Sequence, residues 1–219
     1  MVTDREHLES EGLDRLVPKI FSLIPANAET FLDVGCGMGI VSEAVKNNFN
    51  AKVYGLDCFS PLLERAKKRG IITFNCNVEN DKFPFLDANF DCILLIEVLE
   101  HLGKLENCFS EIARVIKPNG KLVLSTPNLT QLGSRLQILR GNDPSPVDPK
   151  ATSYGRHVRL YALNTLKQVL APWFHISKVI YFNEQPRRSW KGVIRDGLCF
   201  LKKDLSSEII VLCEPVAVT

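Results

Sequence analysis

Two groups of residues in this chain of 219 residues have the types and spacing of chemistry. The first is Asp33-x-Gly35-x-Gly37-x-Gly39, within FLDVGCGMG at 31–39. Glycine at alternate positions lets the backbone take positive φ and approach a ligand closely. An apolar run before the glycines and the helix-like IVSEAVKNN after them give the layout of a nucleotide-binding loop. The second group is Glu97-x-x-Glu100-His101. If residues 97 to 102 form a helical turn, the three side chains share one face. Two carboxylates and an imidazole are then a donor set for a divalent metal. A further histidine follows at His157. Imidazole titrates near neutrality, so His101 and His157 are also candidate general bases.

The elements that must position these groups follow from the patterning. Residues 5 to 24 have roughly helical apolar spacing, divided by Gly12 and Pro18. Strands are expected at 30–34, 51–57, 71–76, 90–96 and 121–126. Helices are expected at about 39–48, from Ser60-Pro61 to Gly70, and at 104–116, with a turn at Lys117-Pro118-Asn119-Gly120. This alternation predicts an α/β fold with a mostly parallel, doubly wound sheet. Ligands bind such sheets outside the carboxyl ends of the strands. Asp33 to Gly39, Asp57, Asn77 and Glu97 all fall there. Beyond residue 126 the pattern predicts a short helix at 129–139, a Pro-rich loop, a helix at 163–171 and strands at 175–182 and 208–214. Between those strands, 184–206 interleaves basic residues (Arg187, Arg188, Lys191, Arg195) with Trp190 and Phe200.

Composition narrows the class. A hydrophobic fraction of 45% and a charged fraction of 24% are those of a globular protein. A net charge of +2 favours neither nucleic acid nor a membrane surface. The seven cysteines form no CxxC pair, and several lie in apolar runs. They read as reduced, buried thiols of a cytoplasmic protein. Cys36 within the loop reads as packing, with no histidine near it in sequence. The first 15 residues carry charges throughout and show no secretory signal. No apolar run reaches the length of a membrane span.

A dinucleotide fingerprint would need glycine at position 40, which is Ile40, and no GK[ST] follows for a P-loop. The loop, with Asp57 downstream, NVENDKFPF, FDCILLIEVLEHL and ARVIKPNGKLVLSTPN, resembles class I S-adenosylmethionine (SAM)-dependent methyltransferases over residues 30–128. The resemblance implies a seven-stranded sheet with an antiparallel last strand. It makes 1–29 an N-terminal helical segment and 30–219 the methyltransferase domain, with substrate-cap insertions at about 127–160 and 184–206. It also implies that Asp33, Gly35, Cys36, Gly37 and Gly39 form the cofactor loop and that Asp57, followed by Cys58, takes the ribose hydroxyls. Asn77, where many relatives carry Asp, and Val78 would flank the adenine, with Glu97 at the cofactor rim.

Glu-x-x-Glu-His further resembles quinone-biosynthesis O-methyltransferases and small-RNA 2′-O-methyltransferases. That implies Glu97, Glu100, His101 and His157 as ligands of Mg²⁺ or another divalent ion, which would lower the pKa of an acceptor hydroxyl. Without an ion, His101 or His157 is the base. The expected reaction is methyl transfer to a hydroxyl oxygen of a small-molecule or sugar-like acceptor, by a monomer or homodimer. The alternatives are a metal-dependent RNA 2′-O-methyltransferase and a non-catalytic SAM-binding protein. Tyr154, Arg156 and Arg159 are candidate contacts to an anionic or sugar acceptor.

Overall fold

The computed structural model describes residues 15–144, 157–183, 199 and 202–216. Seven strands form one sheet in the order β3-β2-β1-β4-β5-β7-β6. They are β1 (Thr30–Val34), β2 (Lys52–Asp57), β3 (Ile72–Asn75), β4 (Phe90–Ile96), β5 (Ile116–Pro127), β6 (Phe174–Phe182) and β7 (Glu208–Pro215). Strands β1 to β5 pair in parallel. β7 inserts antiparallel between β5 and β6. The doubly wound α/β sheet and its antiparallel last strand are as expected.

Both faces of the sheet are buried at its centre, so the central strands are apolar at both parities. Leu32, Val34, Ile93, Leu95, Leu122, Leu124, Ile209 and Val211 face one layer. Phe31, Cys92, Leu94, Val123 and Ile210 face the other. The helices are α1 (Ile40–Phe49), α2 (Ser60–Lys68), α3 (Glu106–Val115), α4 (Leu132–Leu139) and α5 (Leu163–Leu170). α3 covers the first layer with Cys108, Phe109, Ile112 and Val115. Val45 of α1 and Ala66 of α2 cover the second, joined there by Leu16, Ile20, Leu23 and Ile24. Residues 15–21 are helical and include Pro18; the division of the expected 5–24 segment at Gly12 lies outside the described residues.

The largest boundary difference is at β5. β5 starts at Ile116, not at 121, because Ile116 pairs with Phe90 before the ladder resumes at Cys92 and Lys121. The expected turn at 117–120 therefore bulges out between two paired stretches. Gly120 is required there, since a Cβ would come 2.6 Å from Ile116 Cγ1. All seven cysteines are free thiols, and all but Cys58 are buried. Among the described residues, no helix is long and apolar enough to cross a membrane.

Candidate active site

β1 lies between β2 and β4, so the glycine loop leaves from the middle of the sheet. The N–H groups of Gly35 and Cys36 both donate to Leu56 O, at 2.7 and 2.9 Å, tying the loop to β2. Gly35, Gly37 and Gly39 all have positive φ, at 76°, 51° and 78°. A Cβ on Gly35 would lie 2.5 Å from Val98 Cγ2, and one on Gly39 would lie 2.9 Å from Ala66 Cβ. Gly37 is different: its nearest neighbour would be Leu62 Cδ1 at 4.0 Å. The loop is closely packed at its two ends and open at its middle, where a ligand would lie.

Asp57 braces that open point. Its Oδ2 accepts the Gly37 N–H at 3.0 Å, and its Oδ1 accepts the Phe59 N–H at 2.8 Å. An ionised carboxylate has about four acceptor sites, so Asp57 keeps acceptor capacity for a further donor. Cys58 Sγ lies 3.9 Å from Asp57 Oδ1. Asp33 is buried beneath the loop and accepts a hydrogen bond from Ser42 Oγ. Burial pushes its carboxyl up to about 6; the Ser42 bond opposes this and the nearby Asp57 charge adds to it. Cys36 packs its sulfur where a Cβ on Gly55 would come within 2.6 Å. Burial drives that thiol far above its ordinary range, which rules it out as a thiolate nucleophile. Asn77 follows β3. Its Oδ1 accepts the Glu79 N–H at 3.0 Å and its own N–H donates to Asp81 Oδ2 at 2.7 Å, so this side chain caps a turn. Val78 is buried beside it, its carbonyl accepting from Asn107 Nδ2 at 3.0 Å.

The second group is assembled differently from the expected helical turn. Glu97 leaves β4 with φ 55°, in the left-handed region that non-glycine residues rarely enter. Ser125 holds it there. The Glu97 N–H lies 3.1 Å from Ser125 Oγ, and the Ser125 hydroxyl donates to Glu97 Oε1 at 2.5 Å. Only Leu99–His101 forms a short 3-10 turn. Glu97 is brought to Glu100 across this bend, not along one helix face.

Glu100 has 0% exposure. Its Oε2 accepts from Thr126 Oγ1 at 3.2 Å. Its Oε1 has no hydrogen-bond partner and lies 3.9 Å from both His101 Nε2 and His157 Nε2. One ligand atom from each of these three residues lies within 4.8 Å of the others. Glu97 is not part of that close trio. Burial first, and then the Glu97 charge, push the Glu100 carboxyl well above its ordinary value. The two imidazoles sit 4.9 Å apart, centroid to centroid. Burial, and then His101, lower the His157 pKa. A buried carboxylate oxygen without a partner is costly. A cation between it and two imidazoles removes that cost, and one carboxylate with two imidazoles is a recognised donor set for divalent ions. The residues fit the implied metal.

His157 reaches the site because the chain after it docks on the 3-10 turn. The N–H groups of Val158 and Arg159 donate to Glu100 O at 2.9 and 3.3 Å. Arg159 Nη2 donates to Gly103 O at 2.7 Å. Arg159 thus helps fasten this segment. Tyr154, Arg156 and all of the 184–206 insertion except 199 and 202–206 lie outside the described residues. Sequence reasoning missed Ser42, Ser125 and Thr126. The signal available was a pair of hydroxyls ending the apolar β5 where doubly wound sheets bind ligands.

Residues 32–124 match the family described as a methyltransferase domain. The mitochondrial ubiquinone biosynthesis O-methyltransferase of Schizosaccharomyces pombe is 30% identical over 153 residues, which are 65% of this chain and 54% of that protein. A probable tRNA methyltransferase 9B of Mus musculus is 33% identical over 108 residues, 48% of this chain and 23% of that protein. The chain spans about half the length, or less, of these curated relatives. The crystal structure of an S-adenosylmethionine dependent methyltransferase from Mesorhizobium loti superposes with a TM-score of 0.62 at 17% identity, covering 90% of this chain and 95% of that one. At that identity the likeness is one of fold.

Proposed function

We propose that this chain, whose residues 32–124 match a methyltransferase domain, is a SAM-dependent O-methyltransferase that acts on a hydroxyl of a small-molecule or sugar-like acceptor with a divalent metal at Glu100, His101 and His157. The observation that carries this reading is the buried Oε1 of Glu100, without a partner and 3.9 Å from each of two imidazole nitrogens.

In this reading the Gly35–Gly39 backbone and Asp57 would hold the cofactor, with Asn77 and Val78 flanking its adenine and Glu97 at its rim. The carboxylates of Asp57 and Glu97 lie on the cofactor side of the site, where negative charge would favour the sulfonium of SAM over the uncharged sulfur of the product. A divalent ion held by Glu100, His101 and His157 would lower the pKa of the acceptor hydroxyl. The acceptor oxygen attacks the methyl carbon in line, the carbon–sulfur bond breaks and its electron pair returns to sulfur. The hydroxyl proton passes to solvent. In the absence of an ion, Nε2 of His101 or of His157 takes it.

Calorimetric titration with SAM, and separately with Mn²⁺ or Mg²⁺ against an EDTA control, tests the reading. One metal per chain, SAM binding and methyl transfer to a vicinal diol or catechol support it. SAM binding without metal leaves the histidines as bases. SAM binding without transfer to any acceptor supports a non-catalytic SAM-binding protein. No SAM binding overturns the assignment. Because one relative is named a probable tRNA methyltransferase, the acceptor panel includes RNA. Transfer to a ribose 2′-hydroxyl would select the RNA reading.

A further inference from the structure

The two oxygens of Glu100 have different surroundings. Oε2 accepts the hydroxyl of Thr126 at 3.2 Å, whereas Oε1 has no partner and faces both imidazoles. Thr126 is itself fully buried, next to the last β4–β5 pair, Ile96 with Ser125. Consecutive strand residues point to opposite faces. Ser125 accordingly engages Glu97, and Thr126 engages Glu100.

We propose that Thr126 is a positioning residue for the metal-binding carboxylate: its hydroxyl occupies Oε2, so that Glu100 presents Oε1 alone to the ion. This rests on the metal reading above. A carboxylate with neither oxygen anchored can rotate about its last torsion and chelate through both oxygens. Anchoring one oxygen would make Glu100 a one-oxygen ligand and leave room at the ion for the two oxygens of a vicinal acceptor. Hydrogen-bond partners of metal ligands typically contribute about 10–100-fold in affinity.

The test compares the unsubstituted protein with Thr126→Val and Thr126→Ser, titrating Co²⁺ by its visible absorption and by calorimetry, and titrating SAM separately. The expected result is Co²⁺ binding weakened about 10–100-fold in Thr126→Val, with an altered absorption spectrum and unchanged SAM affinity. Thr126→Ser, which keeps the hydroxyl, restores both the affinity and the spectrum. Equal Co²⁺ affinity and spectrum in Thr126→Val and the unsubstituted protein would overturn the positioning role and leave the metal reading standing. Parallel loss of SAM and Co²⁺ binding that serine does not rescue would overturn it in favour of a packing role. An unsubstituted protein that binds no Co²⁺ would overturn both.

Discussion

His157 Nε2 and Glu100 Oε1 stand 3.9 Å apart although a long stretch of chain separates them. What joins them is the backbone: Glu100 O accepts the N–H groups of Val158 and Arg159. The carbonyl of one proposed ligand thus captures the segment that carries another. Replacing Glu100 by alanine keeps that carbonyl and removes the carboxylate. Metal affinity should fall by more than the roughly 10–100-fold typical of an outer-shell partner, while SAM affinity holds. Calorimetry on Glu100→Ala with Mn²⁺ and with SAM reads both. Retained Mn²⁺ binding would remove Glu100 from the metal site.

Arg159 should influence the site through the same docking. Arg159→Ala removes the bond to Gly103 O and loosens the segment that carries His157. We expect faster amide hydrogen exchange at residues 157–161, and slower exchange there when Mn²⁺ is added to the unsubstituted protein. Exchange insensitive to Mn²⁺ would mean that His157 is not a ligand.

Asp57 carries two loads, the Gly37 N–H and the expected ribose hydroxyls. Hydrogen bonds to a charged group contribute about 1.5–3 kcal/mol each. Asp57→Ala should therefore weaken SAM binding at least about tenfold. Asp57→Asn, which keeps an acceptor for Gly37, should fall between the two. Unchanged affinity in Asp57→Ala would end the ribose assignment.

Legibility in the sequence differed with the range of the interaction. FDCILLI reads as a strand and is β4 with the same bounds, because a run apolar at both parities fits only between two buried layers. The glycine loop is legible because positive φ at Gly35, Gly37 and Gly39 needs no partner distant in sequence. Glu97 is not legible in this way. Nothing in EVLEH requires a left-handed glutamate; its cause is Ser125 on the neighbouring strand, which depends on β4–β5 register. The start of β5 at Ile116 was hidden for the same reason, since its pairing with Phe90 is tertiary. The histidines were visible as residue types, but their convergence on one carboxylate oxygen is set by docking that spacing does not encode.

The glycine loop separates packing from binding. Gly35→Ala meets Val98 Cγ2 at 2.5 Å as well as an unfavourable φ. Gly37→Ala meets only the φ penalty, about 1–2 kcal/mol, because the space above it is open. Thermal unfolding should show the larger loss in Gly35→Ala. SAM affinity should be lost in Gly37→Ala even where the protein remains folded, since the new methyl would fill the space proposed for the ligand. Gly37→Ala binding SAM normally would place the ligand elsewhere.

Asp33 makes stability depend on pH with a definite sign. Its folded-state pKa, about 6, lies above the ordinary 3.8, chiefly because burial disfavours the charged carboxylate. Between these values the folded state holds a proton that the unfolded state has lost. Stability therefore falls as pH rises through this window, and the loss is complete above the folded-state value. The difference corresponds to about 3 kcal/mol. Asp33→Asn carries no charge and can still accept the Ser42 hydroxyl, so it should lack this dependence. Urea unfolding of both proteins at pH 4.5 and 7.5 isolates the contribution of Asp33: the variant should gain stability over the unsubstituted protein at the higher pH by up to that amount. A cationic cofactor should counter the loss, because a nearby positive charge favours the ionised carboxylate and draws its pKa down. Adding SAM should then narrow the gap between the two proteins at pH 7.5. A gap that SAM leaves unchanged would mean that Asp33 does not sense the charge of the cofactor.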